Sequence, residues 1–269
     1  MLAATVRRAV LAATVTAACA APAAAAAAVT LPPANGRFDY QIGGAYTPAA
    51  SVRIVDRDRT AAPVAGRYNV CYVNAFQTQS DEVAGWKSNR NNLLLKRNGS
   101  YVVDSAWNEI LLDTSTAAKR AKLASIVGGW FAGCRARGYQ AVEPDNLDSW
   151  TRSKGRLSKA DNMAYASLLI SRAHAAGLAI AQKNTTELGR SGKAMGFDFA
   201  IAEECQVYSE CGQYTGPYGK RVYEIEYTDN GGLANFNAAC AARGASIAVN
   251  YRDRDVVARG RPGYVDKAC

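Results

Sequence analysis

The chain has 269 residues, seven cysteines, one histidine and a formal net charge of +9. A lone histidine argues against a His-based triad and a multi-histidine metal centre. The basic excess is scattered, without runs of five like charges, so it reads as a solubilising surface and no nucleic-acid partner is expected; with no glycine-rich phosphate loop, nucleotide chemistry is not expected either.

Residues 1–28 read as a signal peptide. Arg7 and Arg8 form a positive n-region, Ala9 to Val15 a short apolar stretch, and Ala17 to Ala28 offer several Ala-x-Ala cleavage points. The apolar stretch is too short and too alanine-rich for a membrane span, so a secreted protein without membrane association is expected. Cys19 after Thr-Ala-Ala resembles a lipoprotein cleavage site, but the usual large aliphatic residue is missing, which favours ordinary cleavage beyond it. Loss of Arg7 and Arg8 lowers the charge to +7. About 240 residues remain, the size of one α/β barrel.

Residues 29–37, with Pro32-Pro33 and Asn35-Gly36, read as an exposed leader, and 38–269 as one domain. Strands are expected at Phe38–Ile42, Tyr68–Asn74 and Tyr101–Asp104. A helix follows over Ala117–Ala136, then a strand over Gly138–Val142 and a helix over Ser158–Ala176, with Ser158 as N-cap and Gly177 past its end. The remaining strands are Leu178–Gln182, Phe197–Ala202, Val222–Tyr227 and Ser246–Asn250, with a helix over Leu233–Ala242. Eight strands with mostly helical connections argue for a parallel sheet covered by helices. A closed eight-stranded barrel is the economical arrangement; a doubly wound open sheet is the alternative.

Beyond the signal peptide six cysteines remain, an even number that suits three disulfides in an exported chain. Local spacing favours Cys205–Cys211. The C-terminal Cys269 is expected to meet Cys240, which leaves Cys71–Cys134 by elimination. No Cys-x-x-Cys pair supports zinc, so no metal is expected.

The chemistry concentrates at strand ends. Val142 to Asp148 read Val-Glu-Pro-Asp-Asn-Leu-Asp, and Pro144, lacking an N–H, is expected to end the ladder there. Ala-Glu-Glu-Cys follows the next apolar run at 202–205. Two carboxylate clusters at strand mouths are what a glycoside hydrolase needs, one acid and one nucleophile or base. Other polar strand-end residues are Gln41, Asn74, Asp104, Lys183, Asn184, Glu226 and Asn250, although Asp104 and Asp148 are equally readable as helix N-caps. Tyr40, Tyr46, Tyr72, Tyr208 and Tyr214 are candidate platforms for sugar rings. His174, near a helix C-terminus, reads as a surface residue at the dipole. Because side chains alternate along a strand, Glu203 and Glu204 should diverge, and Glu203 is preferred at the mouth. Glu143 and Asp145 share parity, and Asp145 is preferred.

Together the segments Val-Glu-Pro-Asp-Asn-Leu-Asp (142–148), Gln-Lys-Asn (182–184), Ala-Glu-Glu-Cys with Tyr208 and Cys211, and Ile-Glu-Tyr (225–227) resemble glycoside hydrolase family 114. The resemblance runs from about Phe38 to the C-terminus. It implies a (β/α)8 TIM-type barrel acting as an endo-α-1,4-polygalactosaminidase. It also implies that Asp145 and Glu203 are the catalytic pair and that Glu143, Lys183 and Glu226 are pocket residues. Gln41, Tyr72, Asn74, Asp104, Asn146, Asn184, Glu204 and Tyr208 complete the expected substrate-binding set. Two segments depart from the family: Phe38-Asp39-Tyr40-Gln41 replaces a tryptophan-rich strand, and Tyr72 to Phe76 lack a serine that many relatives carry. The expected enzyme is a monomer acting on a polysaccharide without a cofactor. A non-catalytic carbohydrate-binding barrel and an endo-glycosidase for another hexose or hexosamine polymer are the alternatives, and retention against inversion stays open.

Overall fold

The computed structural model describes Met1 and residues 29–269, so residues 2–28 of the segment read as a signal peptide, Cys19 among them, lie outside the described residues. Eight parallel strands form the framework: β1 (Phe38–Tyr40), β2 (Ile54–Asp58), β3 (Tyr68–Asn74), β4 (Ala141–Asp145), β5 (Ala179–Lys183), β6 (Phe199–Glu203), β7 (Val222–Tyr227) and β8 (Ala248–Arg252). They neighbour one another in chain order, and a short antiparallel strand, β9 (Asp266–Ala268), adds to β8. The sheet curls into a nearly closed barrel in which Asn250 Nδ2 on β8 donates to the Phe38 carbonyl on β1 at 2.7 Å.

Six α-helices surround it: α1 (Val83–Asn89), α2 (Ala117–Arg137), α3 (Lys159–Ala175), α4 (Arg190–Met195), α5 (Gly212–Tyr218) and α6 (Gly232–Arg243). The connections β1–β2 and β2–β3 contain no helix. Local chemistry sets the long helices' ends. Thr116 caps α2, and Gly138 closes it with φ 101°, a left-handed conformation that costs glycine nothing. A reciprocal Ser158–Asp161 capping box starts α3. At the far end of α3, His174 pairs with Asp198 at 2.9 Å, a partner that the helix-dipole reading omits.

Two sequence expectations need correction. Tyr101–Asp104 is not a barrel strand; its residues belong to two small hairpins within the long β3–α2 excursion (Lys96–Arg97 with Ser100–Tyr101, and Val103–Asp104 with Glu109–Ile110). The missing barrel strand is β2, where Arg57 and two aspartates mask a buried segment. Pro144 does not end its strand. It pairs opposite Val73 while β4 continues to Asp145, and it is the ladder to β5 that stops, at Val142–Ile180.

Alternation along each strand separates two cores. Phe38, Ile54, Val70, Phe199, Ile201, Tyr223 and Ile225 fill the lower barrel. Val73, Val142, Ile180, Ala202 and Val249 face the helices and meet Leu123, Val127, Phe131 and Leu169. Each large apolar side chain so buried contributes about 1.5–3 kcal/mol. Disulfides Cys71–Cys134, Cys205–Cys211 and Cys240–Cys269 join β3 to α2, close the loop after β6, and tie α6 to the tail. Among the described residues, no helix is long and apolar enough to cross a membrane.

Candidate active site

Above the apolar layer the barrel interior turns polar, because the inward positions toward the C-terminal ends of β3 to β7 include Tyr72, Glu143 and Asp145, Lys183, Glu203 and Tyr227. A cleft of about 510 Å³ opens there, lined by Tyr72, Asp145, Lys183, Glu203 and Tyr227 on its floor. The excursion between β3 and α2 builds one wall with Asp104, Trp107 and Glu109, and the loop after β8 builds another with Arg254 and Asp255. Seven carboxylates line the cleft against three cations. It is therefore acidic within a basic protein.

Lys183 organises the floor. Its Nζ lies 2.8 Å from Glu143 Oε1, 3.4 Å from Asp145 Oδ1 and 3.3 Å from Glu203 Oε2, and it donates to the Tyr40 hydroxyl at 2.9 Å. The ammonium is 2% exposed. Burial lowers its pKa, but Asp145, Glu143 and Glu203 together outweigh that and raise it well above the ordinary lysine value. Asp145 Oδ2 accepts from the Tyr72 hydroxyl at 2.9 Å, and Oδ1 from the Asn146 backbone N–H at 2.8 Å. Glu203 Oε2 accepts from Asn184 Nδ2 at 2.7 Å, and Oε1 from the Tyr227 hydroxyl at 2.5 Å. Burial raises the Tyr72 and Tyr227 hydroxyls well above the usual phenol range, so both remain donors at any working pH.

The expected site residues divide into groups. Asp145, Glu203, Tyr72, Asp104, Asn146, Lys183 and Asn184 meet in the cleft. Glu143 lies one layer beneath, fully buried against Lys183. Asn74 is buried and does not line the cleft; it donates to Glu109 at 2.7 Å and accepts from Asn146 at 3.0 Å, so it positions two residues that do. Gln41 is likewise buried, bonded to Asp39 and Arg57. Glu204 follows the strand end with φ 59°, turns from the mouth and pairs with Arg254. Tyr208 is 60% exposed outside the cleft lining.

Glu226 faces away from the mouth. On β7 the inward positions are Tyr223, Ile225 and Tyr227, so Glu226 points to α6, where Asn235 Nδ2 donates to it at 2.6 Å. Burial and the neighbouring Glu224 raise its carboxyl to about 7. Of the five tyrosines considered as sugar platforms, Tyr40 and Tyr214 are buried and cannot present a face. Asp104 caps no helix, and Asp148 stands at the N-cap position of the 3-10 turn Ser149–Arg152 without a side-chain capping bond. Both bind Arg152, through Nε at 2.9 Å and through a two-pronged contact at 2.9 and 3.0 Å, respectively.

Sequence reading missed Glu109, Trp107, Arg152, Tyr227 and Arg254. Tyr227 was legible, because the alternation that separates Glu203 from Glu204 also sets Tyr227 apart from Glu226. The others sit on loops, where strand parity gives no signal.

No curated protein sequence matches the chain. Solved structures share its fold, and two of them cover most of this chain. Aspergillus fumigatus Ega3, in complex with galactosamine, is 22% identical, with a TM-score of 0.71 over 90% of this chain and 98% of its own. The glycoside hydrolase domain of PelA from Pseudomonas aeruginosa is 15% identical, with a TM-score of 0.58 over 84% and 96%. The model of one glycoside hydrolase family matches residues 18–269, almost the whole chain and every strand of the barrel, and on that match the protein belongs to glycoside-hydrolase family GH114.

Proposed function

We propose that this glycoside hydrolase is a secreted endo-enzyme cleaving α-1,4-linked galactosamine-containing polysaccharide, with Asp145 as nucleophile and Glu203 as general acid/base. The convergence of Asp145 and Glu203 on the Lys183 ammonium is the observation that carries this reading. Contacts of 3.4 and 3.3 Å to one nitrogen, laid end to end, limit the two nearest oxygens to about 6.7 Å. That range takes in the spacing of about 5–5.5 Å found in retaining enzymes and reaches only the edge of the inverting range.

Glu203 protonates the departing glycosidic oxygen while Asp145 attacks the anomeric carbon, forming a glycosyl ester and releasing the leaving chain as an alcohol. Esterification removes the charge of Asp145. Glu203, now ionised, takes a proton from water, whose oxygen displaces Asp145 and returns product with the original anomeric configuration. Lys183 stays charged throughout and prevents the two carboxylates from drifting apart.

The acidic cleft supports a cationic amino sugar. Glu109 accepts from Asn74 and Gln77 and has no cationic partner among the described residues, leaving it free to meet a sugar ammonium. The protein's overall charge of +7 after leader removal repels such a polymer at long range, and the cleft reverses the sign locally. Galactosamine bound in Ega3 points to the same substrate class. Three disulfides fit an oxidising compartment and hence secretion.

Purified protein should generate new reducing ends from a partly deacetylated α-1,4-galactosamine polymer, with oligomers as early products and the α-anomer seen first by NMR. Early monomer would replace endo by exo cleavage, and first appearance of the β-anomer would replace retention by inversion. Absence of cleavage across a panel of α-linked hexosamine polymers would overturn the substrate assignment.

A further inference from the structure

Arg152 ends the 3-10 turn that follows β4 and has no role in the two-carboxylate mechanism, yet it closes a ring of hydrogen bonds in the cleft wall. On one arm Arg152 Nη2 donates to Asn146 Oδ1 at 3.0 Å, Asn146 Nδ2 donates to Asn74 Oδ1 at 3.0 Å, and Asn74 Nδ2 donates to Glu109 Oε2 at 2.7 Å. On the other arm Arg152 Nε donates to Gln77 Oε1 at 3.3 Å, and Gln77 Nε2 reaches the same Glu109 oxygen at 3.0 Å. The ring therefore joins the end of β3, the hairpin of the β3–α2 excursion and the turn after β4. Asn74 and Gln77 are buried, so water does not compete for their bonds.

Carboxylates on both sides hold the guanidinium in this position. Asp148 accepts two prongs at 2.9 and 3.0 Å, and Asp104 meets Nε at 2.9 Å. A planar fork serves all these directions at once, which an ammonium on a flexible stem cannot do.

The ring touches both working sides of the cleft. Asn146 adjoins Asp145, and its backbone N–H donates to Asp145 Oδ1 at 2.8 Å. A left-handed backbone, φ 66°, accompanies that contact, a conformation uncommon for any residue but glycine. Both ends of the Asn146 side chain are tied, Oδ1 to Arg152 and Nδ2 to Asn74, which holds the residue there. Opposite stands Glu109, the carboxylate read above as meeting a sugar ammonium.

We propose that Arg152 is a positioning residue: through the ring it keeps the Asn146 N–H on Asp145, and Glu109 in the cleft wall, as one preformed unit. Its effect on turnover rests on the reading of Asp145 as nucleophile; the ring itself does not.

Amide hydrogen exchange and a double-mutant cycle test this. In Arg152→Met, peptides carrying Asn146 and the 103–110 hairpin should both exchange about tenfold faster than in wild type, with the barrel strands unchanged. On a short oligomer Arg152→Met should lower kcat about tenfold, and Arg152→Lys should not restore it. Asn146→Ala should lower kcat by a similar factor, and the double variant should be no worse than Asn146→Ala alone, because Arg152 acts through Asn146. If Arg152→Met does not fold, Arg152→Lys takes its place in the exchange measurement and in the cycle. Restoration of kcat by lysine, additive losses in the double variant, or unchanged exchange at Asn146 would each overturn the proposal. Exchange reads the ring even where no polymer is cleaved, so failure of the substrate assignment and failure of this inference are distinguishable.

Discussion

The Tyr227 hydroxyl donates to Glu203 Oε1 at 2.5 Å from the neighbouring barrel strand. With Asn184 on the other oxygen, it fixes the carboxylate from both sides, and two rigid strands set the geometry. Removal of the hydroxyl in Tyr227→Phe leaves the aromatic packing and deletes one of the hydrogen bonds that orient Glu203. Turnover should fall about tenfold, with an unchanged melting temperature showing that the loss is local.

Asp145→Asn and Glu203→Gln should each fold normally and lose at least about a hundredfold in kcat, the scale of one acid–base group. Glu204→Gln should lose far less, because Glu204 pairs with Arg254 away from the floor. Steady-state kinetics on one polymer decide the matter. A dead Glu204→Gln beside an active Glu203→Gln would reverse the assignment within that pair.

Lys183→Met tests the buried ammonium. Glu143 would be left fully buried without its counter-ion, and breaking such a pair costs about 3–5 kcal/mol. Urea unfolding should register that loss. In Glu143→Gln/Lys183→Met most of the stability should return, since no uncompensated charge remains, while activity should not. Equal stability of the single and double variants would show that the pair does not govern folding.

How far the sequence reveals the site depends on the element that carries each residue. Asp145, Glu203 and Lys183 end apolar runs on parallel strands, and such positions converge on one rim by topology alone. Glu226 follows the same kind of run but has the wrong parity, because its strand extends one residue further to Tyr227 before leaving the barrel. Strand β2 escaped notice because three of its five residues are charged, and Asp56 is buried there as a polar group rather than as part of an apolar stripe. Trp107 and Glu109 reach the cleft through a hairpin that packs on neighbouring loop segments, with the bridge Gln77–Leu111 and the contact of Asn74 with Glu109 holding it down. Contacts of that kind are tertiary, and no local periodicity encodes them.

Trp107 lies between the two ends of that hairpin, 52% exposed and lining the cleft. An exposed indole at a cleft rim offers an apolar face to a sugar ring beyond the cleavage point. Trp107→Ala should raise KM for long polymer about tenfold and leave kcat within about twofold, because stacking there acts on binding and not on the reacting bond. Short oligomers that do not reach the rim should be cleaved as by wild type. A fall in kcat on short substrates would instead place the indole near the reacting atoms.

Glu226 predicts a pH-dependent stability unrelated to catalysis. Its folded carboxyl is raised to about 7 by burial and by Glu224, against about 4.3 for an unfolded glutamate. The folded state therefore holds this proton more tightly than the unfolded chain does. The stabilising contribution is fully present below about pH 4.3 and is lost as pH rises through about 7. Glu226→Gln keeps a neutral side chain at every pH and cannot lose it. The melting-temperature difference between variant and wild type should therefore grow more favourable to the variant between about pH 5 and 8. A difference that stays flat over that interval would mean Glu226 is already ionised in the folded protein, with its charge met by Asn235 and the Gln206 backbone N–H alone.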